Sequence, residues 1–166
     1  MTFRIDERVI DLLKQETEKR QVSLNTLVNQ ILKRYIDWDM YEPKVGMIPI
    51  AKPVVSALFD KIDEKDIREM ASKVGKNAVH DIALFMKSRM DLASFLSWLE
   101  MRMRHATIEL SHNVQSYSHT YVMKHDLGYN WSLYHKTLLE LMFHEIFRKR
   151  VDISITDTTL LLKFDE

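Results

Sequence analysis

The stretch Met1-Thr2-Phe3-Arg4-Ile5 decides the fold predicted for the N-terminal part, together with the two short helical segments that follow it. Thr2 and Arg4 alternate with the apolar Phe3 and Ile5, a spacing of two that is typical of a β-strand with one apolar face. One strand beside two short helices cannot bury its apolar side chains or pair its backbone groups. The sequence therefore predicts that a second copy supplies the partner strand, in an obligate homodimer.

Two amphipathic helices are predicted after this strand. Asp6 is placed to cap a helix that runs to about Arg20, and Ser23 is placed to cap the next one. The apolar positions of the second helix recur at helical spacing, and they are Leu24, Leu27, Val28, Ile31, Leu32 and Tyr35. In a dimer the apolar stripes of both helices are expected to form one shared core.

The run T-F-R-I-D-E-R-V-I-D-L-L-K-Q-E-T-E-K-R-Q-V-S-L-N-T-L-V-N-Q-I-L-K-R-Y, residues 2–35, resembles the ribbon-helix-helix family of repressors. In that family two N-terminal strands pair antiparallel across a dimer and enter the DNA major groove. The family's S-x-N-x-L pattern matches Ser23, Asn25 and Leu27. Gln21 replaces the usual glycine between the helices, so the turn must differ or hold Gln21 under slight strain.

The resemblance implies which residues touch double-stranded DNA. Thr2 and Arg4 fall where the family points its base-reading side chains, and the planar fork of an arginine suits a guanine edge. The backbone of Ser23, Leu24 and Asn25 falls where the family rests a helix N-terminus on a phosphate. The free amides and positive dipole end of a helix favour an anion there.

The charge of the chain restricts how it can bind DNA. Its 166 residues carry 24 basic and 24 acidic side chains, and residues 1–39 carry seven of each. Because phosphate neutralisation supplies most non-specific affinity, a neutral chain should bind random DNA weakly. This composition argues against an architectural DNA binder and requires a few specific contacts, doubled by dimer symmetry.

Other features of the composition predict a cytoplasmic protein without membrane contact. The chain has no cysteine, which excludes disulfides and thiolate metal sites. No apolar run approaches the roughly 20 residues needed to cross a bilayer. The N-terminus lacks the apolar core of a signal peptide.

Three parts are predicted along the chain: a ribbon-helix-helix DNA-binding module at 1–39, a junction at 40–52, and a second domain at 53–166. The second domain starts with four helices, the second of which is expected to end at Gly75. Two strands, a helix and a final strand or hairpin follow, at 106–113, 117–126, 131–149 and 151–164. The fold class is therefore α+β, loosely like ferredoxin-like sensor domains.

All seven histidines follow residue 79 and lie in the second domain. Imidazole is the commonest protein ligand for transition metals, so a metal ion is one candidate effector. If the first hairpin turns between Gln115 and Ser116, then His112 and His119 lie directly opposite, within reach of one ion. No spacing matches a known metal motif, and no cofactor is assigned. A small organic or peptide effector, or assembly of dimers into tetramers, would equally use this domain.

The sequence does not indicate an enzyme. No nucleophile stands beside a base, and no glycine-rich loop could cradle a phosphate. His125 and Asp126 are neighbours on a predicted strand and therefore point to opposite faces, which prevents one from orienting the other.

The function predicted from the sequence is a homodimeric, sequence-specific DNA-binding transcriptional regulator. Its C-terminal domain would oligomerise or sense an effector. The alternative is an antitoxin-like protein that dimerises through its N-terminus and binds a partner protein through its C-terminal domain. Antitoxin tails are usually short segments that fold on their target, whereas residues 53–166 are long, apolar and well capped.

Overall fold

The computed structural model describes residues 4–165. The chain forms two compact units, the first reaching Ile48 and the second starting at Pro49. It belongs to the α+β class, because helices come first and a four-stranded antiparallel sheet forms near the C-terminal end.

The first unit is helical in the part of the chain that the structure describes. Its elements are α1 (Glu7–Arg20), α2 (Leu24–Arg34), a π-helical turn (Tyr35–Asp39) and a 3-10 turn (Glu42–Lys44). The two predicted caps are confirmed: Asp6 accepts a hydrogen bond from the Val9 amide at 3.3 Å, and Ser23 accepts one from the Thr26 amide at 3.0 Å. Both caps satisfy amides that have no partner inside their helix.

The predicted N-terminal ribbon is wrong for the described residues. Arg4, Ile5 and Asp6 have no strand structure, and the first regular element is helix α1. Thr2 and Phe3 lie outside the described residues. All four strands of residues 4–165 belong to the second unit. Alternation over five residues is a weak signal, because a strand also needs a neighbour to pair its backbone groups.

The second unit begins with four helices, α3 (Lys52–Phe59), α4 (Glu64–Met70), α5 (Lys76–Lys87) and α6 (Leu92–His105). Asp63 caps α4 at 2.9 Å and Asp91 caps α6 at 2.8 Å. The predicted helix end at Gly75 is wrong, because a π-helical turn (Ala71–Gly75) joins α4 to α5. A Cβ at Gly75 would lie 2.8 Å from Cζ of Tyr134, so this glycine allows close packing between helices.

The sheet contains β1 (Glu109–Gln115), β2 (Ser118–Lys124), β3 (Asp152–Ile155) and β4 (Thr159–Asp165), in the order β1-β2-β4-β3. Helix α7 (Tyr129–Leu141), extended by a π-helical turn (Met142–Ile146), connects β2 to β3. The closing segment is therefore a hairpin. Alternate residues of the strands face α6 and α7 and build the core, among them Tyr121, Met123, Ile153, Leu160, Leu162 and Phe164.

Candidate nucleic-acid interface and histidine cluster

The N-terminus of α2 is open to an anion. Oγ of Ser23 accepts from the Thr26 amide and also lies 2.8 Å from the Thr26 hydroxyl. The Leu24 and Asn25 amides donate to no other described residue, as expected in a first helical turn. Ser23 and Asn25 are exposed and Leu24 is half-buried. Two amides at the positive end of a helix are thus available to a phosphate oxygen.

Of the two residues predicted to read bases, Arg4 belongs to the described part of the chain. Arg4 is exposed and stands two residues before Asp6, the cap of α1. Thr2 lies outside the described residues. Within residues 4–165, no hydrogen bond joins Arg4 to the N-terminus of α2.

Gln21 adopts the conformation that the family's glycine would take. Its backbone is left-handed, with φ 53° and ψ 42°. The Gln21 amide bonds the Glu18 carbonyl at 3.3 Å, and the Val22 amide bonds the Thr17 carbonyl at 3.2 Å. These two bonds close the C-terminus of α1 in the usual way for a left-handed cap. The turn therefore forms with Gln21 in place of glycine, and the glutamine backbone is held under some steric strain.

The first unit exposes a row of large apolar side chains. In the described part of this unit only Leu27 and Trp38 are buried hydrophobic residues, and α1 buries none of its side chains. Seven apolar residues are between 41% and 60% exposed: Ile5, Val9, Leu12, Ile31, Leu32, Tyr35 and Ile36. Val9 and Leu12 are three residues apart on α1, and Ile31, Leu32, Tyr35 and Ile36 recur at helical spacing along α2 and its π-helical turn, so each set lies on one face. An apolar surface of this kind on a small unit marks an interaction site.

His112 and His119 come together, although not in the predicted register. The hairpin turns between Ser116 and Tyr117, so His112 pairs with Tyr121 and His119 pairs with Val114. The two histidines are therefore diagonal neighbours on one face, and Nε2 of His112 lies 3.0 Å from Nδ1 of His119. A direct hydrogen bond between the rings requires that one nitrogen carries the proton and the other accepts it.

Glu100 and Tyr121 complete this histidine cluster, and the sequence did not indicate either of them. Oε1 of Glu100 accepts from the Tyr121 hydroxyl at 3.2 Å and lies 3.7 Å from Nδ1 of His112. Burial, reinforced by Glu100, raises the pKa of the Tyr121 phenol. The His112 and Tyr121 rings stack with centroids 3.9 Å apart. Glu100 is on α6, so only the packing of that helix on the sheet brings it here.

The histidine cluster borders an open groove between α6 and the sheet. The groove has a volume of about 740 Å³, and its lining includes Arg89, Leu92, Leu96, Ser97, His119 and Lys149. Its lining combines apolar side chains with charged side chains of both signs. Among residues 4–165, no three His, Asp or Glu side chains are grouped so that they could hold one metal ion. His112 and His119 could therefore offer two nitrogen ligands to a metal ion, and no third His, Asp or Glu of the described residues is grouped with them.

A second pair, His125 and Ser132, is buried beside α7. The Leu127 amide donates to Nδ1 of His125 at 3.2 Å, so the proton of the neutral ring is on Nε2, which donates to Oγ of Ser132 at 2.7 Å. The Ser132 hydroxyl in turn donates to the Thr156 carbonyl at 2.7 Å. The serine proton therefore points away from the imidazole, the reverse of an activated nucleophile. Asp126 instead pairs with Lys52 at 3.0 Å.

Neither a scan against models of protein families nor a search of curated proteins finds a match. Within the described part of the chain, each helix is too short or too polar to span a bilayer.

Proposed function

We propose that the chain is a homodimeric, sequence-specific DNA-binding transcriptional regulator. The observation that carries this proposal is the exposed apolar row on α1 and α2 in a unit that also presents an open helix N-terminus. The proposal has three parts: a dimer, a DNA contact made by the first unit, and a second unit that oligomerises the regulator or senses an effector.

The dimer follows from the packing of the first unit. With Leu27 and Trp38 as its buried hydrophobic side chains among the described residues, one copy has little core of its own. Residues such as Leu12 and Ile31 would be covered if α1 and α2 packed against the same helices of a second copy. Removing this apolar area from water is the main favourable contribution to such an association.

The DNA contact is proposed for Arg4 and for the N-terminus of α2. Arg4 is exposed and can donate to base acceptors, while the Leu24 and Asn25 amides can hold a phosphate. A twofold dimer repeats each contact, so a neutral unit can bind a symmetric site without a basic surface. The match of Ser23, Asn25 and Leu27 to the S-x-N-x-L pattern of DNA-binding repressors supports the phosphate contact.

The second unit is proposed to oligomerise the regulator or to sense an effector. Its groove between α6 and the sheet, with a volume of about 740 Å³, is large enough for a small organic molecule. A cytoplasmic location, as expected from the sequence, is part of the same proposal.

Selection of bound sequences from a random pool of duplex DNA tests the proposal. The full-length protein should enrich a repeated or palindromic half-site, and Arg4→Ala should lose the enrichment. Arg34→Ala is the matched control, because Arg34 is an exposed arginine of the same unit that already pairs with Asp39 at 3.2 Å. No enrichment at low salt would contradict the proposal and favour the antitoxin-like alternative, in which residues beyond 40 bind a partner protein.

A further inference from the structure

One face of α6 forms a wall of the groove between that helix and the sheet. Leu92, Leu96 and Glu100 stand four residues apart, and Ala93 and Ser97 form the neighbouring row. All five side chains therefore point to the same side of the helix. Ala93 and Ser97 are small and exposed. The groove, with its volume of about 740 Å³, lies open along this row because neither position carries a bulky side chain.

The carboxylates that line the groove are already paired with cations. Asp91 pairs with Nε of Arg89 at 3.1 Å. Glu100 pairs with Arg104 at 3.3 Å and also accepts from the Tyr121 hydroxyl at 3.2 Å. These pairs compensate the negative charge of both lining carboxylates, and the first also compensates the positive charge of Arg89.

Lys149 is a lining cation whose charge is not compensated. It is half-buried, and within residues 4–165 its ammonium group pairs with no carboxylate. Its side chain lies 3.5 Å from the backbone carbonyl of Asp165, which is long for a hydrogen bond. The Lys149 amide donates to the Phe143 carbonyl at 3.0 Å and so fixes the backbone at this point. A sheltered ammonium group without a counter-charge favours the binding of an anion.

Ser97 offers a hydroxyl donor to the same groove. Nζ of Lys87 donates to Oγ of Ser97 at 3.1 Å. Because an ammonium group can only donate, this bond leaves the proton of the Ser97 hydroxyl available. Ser97 is exposed in the wall of the groove, so its hydroxyl can donate to a polar atom of a bound molecule.

The sheet adds aromatic surface to the lining of the groove. His119 and Tyr121 both belong to this lining. The His119 ring stacks on Phe164 with centroids 4.9 Å apart, and the Tyr121 ring stacks on His112 with centroids 3.9 Å apart. Stacking holds the two lining rings in place. Together with Leu92 and Leu96 they suit the apolar body of a small molecule.

We propose that this groove binds a small organic carboxylate with an apolar body. The ammonium group of Lys149 receives the carboxylate, while Leu92 and Leu96 contact the body from α6. A monocarboxylate fits better than phosphate, because a single uncompensated ammonium group balances one negative charge. The inference rests on the proposed effector role of the second unit, for which it names the chemical class of the effector.

Calorimetric titration of the full-length protein with sodium phenylacetate, in the absence of DNA, tests the site. Wild type should bind phenylacetate in the millimolar range, as expected for so small a ligand. Lys149→Met should weaken binding about tenfold or more, since it removes a hydrogen bond to a charged group, and Lys149→Arg should restore it. Lys124→Met is the matched control and should bind like wild type. Lys124 is an exposed lysine of β2 that does not line the groove and pairs with Glu109 at 3.4 Å.

Two ligand controls separate the charge from the apolar body. Sodium acetate carries the charge without the body, and phenylacetamide carries the body without the charge, so neither should give detectable binding. Ala93→Phe keeps the test decisive if Lys149→Met does not fold. Ala93 is exposed, so a phenylalanine there can fill the groove without entering the core, and it should abolish phenylacetate binding.

The assignment of the groove is overturned if phenylacetate does not bind wild type, or if it binds Lys149→Met or Ala93→Phe equally well. Tighter binding of inorganic phosphate than of phenylacetate would overturn the assignment to a carboxylate. Phenylacetate binding by a protein that enriches no DNA sequence would support the groove assignment and contradict the proposed function alone.

The effector role is tested on the duplex that the DNA selection yields. Phenylacetate at a saturating concentration should change the affinity of wild type for this duplex about fivefold or more, measured by fluorescence anisotropy. The same addition should leave the affinity of Ala93→Phe unchanged. An unchanged affinity of wild type would overturn the effector role.

Discussion

The ring of Tyr134 packs directly on Gly75, where an added Cβ would lie 2.8 Å from Cζ and 3.0 Å from Cε2. Gly75→Ala should therefore destabilise the protein, although alanine is better than glycine inside a helix by about 1 kcal/mol. Overpacking costs about 1–3 kcal/mol, so a net loss of up to about 2 kcal/mol is expected from urea unfolding. In a Tyr134→Ala background the same change should become neutral or stabilising. An equal loss in both backgrounds would show that the ring is not the obstacle.

The buried histidines predict a loss of stability in mild acid. Burial, with a smaller contribution from Arg102, lowers the pKa of His135 to about 3, and burial also lowers that of His125. Both pKa values are about 6.5 in the unfolded chain. The neutral rings belong to the folded state, so stability is fully present above about pH 6.5. It falls as the pH drops towards the folded values, by up to about 1.4 kcal/mol per pH unit for each histidine.

Urea unfolding at pH 7.5, 6.0 and 5.0 measures this slope. His135→Gln should reduce it, because glutamine does not titrate. His80→Gln is the control, since His80 is only half-buried on α5 and bonds the exposed Asp81 at 3.1 Å. An unchanged slope in His135→Gln would contradict the assignment.

Local patterns in the sequence predicted the helix caps of this fold. They did not predict contacts between residues that are distant in the sequence. Asp6, Ser23, Asp63 and Asp91 are caps because a short acceptor side chain acts on amides two or three residues away. The predicted centre of the hairpin turn was off by one residue, which shifts the strand pairing by two residues and changed the partner of His112 from the predicted His119 to Tyr121. Such a shift depends on the turn geometry and on how the sheet packs.

The predicted N-terminal strand is wrong, and the role of Gly75 was missed, for the same reason. A strand needs a neighbouring strand to pair its backbone groups, and the alternation at Arg4 and Ile5 does not show that such a neighbour exists. Gly75 was read as a helix end, because its neighbour Tyr134 is distant in sequence. The contacts of Arg4, Ser23, Leu24 and Asn25 with DNA stay predictions.

The left-handed backbone at Gln21 predicts a stabilising substitution. Gln21→Gly should raise the free energy of unfolding by about 0.5–1 kcal/mol, because glycine takes this conformation without steric strain. Gln15→Gly, inside α1, is the control and should lose about 1 kcal/mol. Both should be measured at one protein concentration, since dimerisation makes stability depend on concentration. A destabilising Gln21→Gly would mean that the glutamine side chain itself stabilises the turn.

The exposed apolar row predicts how the dimer can be broken. Leu12→Glu or Ile31→Glu puts a charge into the proposed interface, which is unfavourable when buried without a partner. Light scattering after size exclusion should find the mass of two chains for wild type and of one chain for each variant. Gln15→Glu, a charge change at an exposed polar position of α1, should remain dimeric. A monomeric wild type, or variants that stay dimeric, would remove the basis for the dimer.

The most direct test of the central claim is the affinity of the full-length protein for a duplex carrying the selected site, compared with a scrambled duplex. Fluorescence anisotropy at physiological salt should give a preference on the order of 1000-fold or more for the selected site, as is common for specific regulators. Arg4→Ala should reduce this preference, and the neutral chain should bind the scrambled duplex weakly. Equal affinity for both duplexes, unchanged by Arg4→Ala, would contradict the claim that this protein reads DNA sequence.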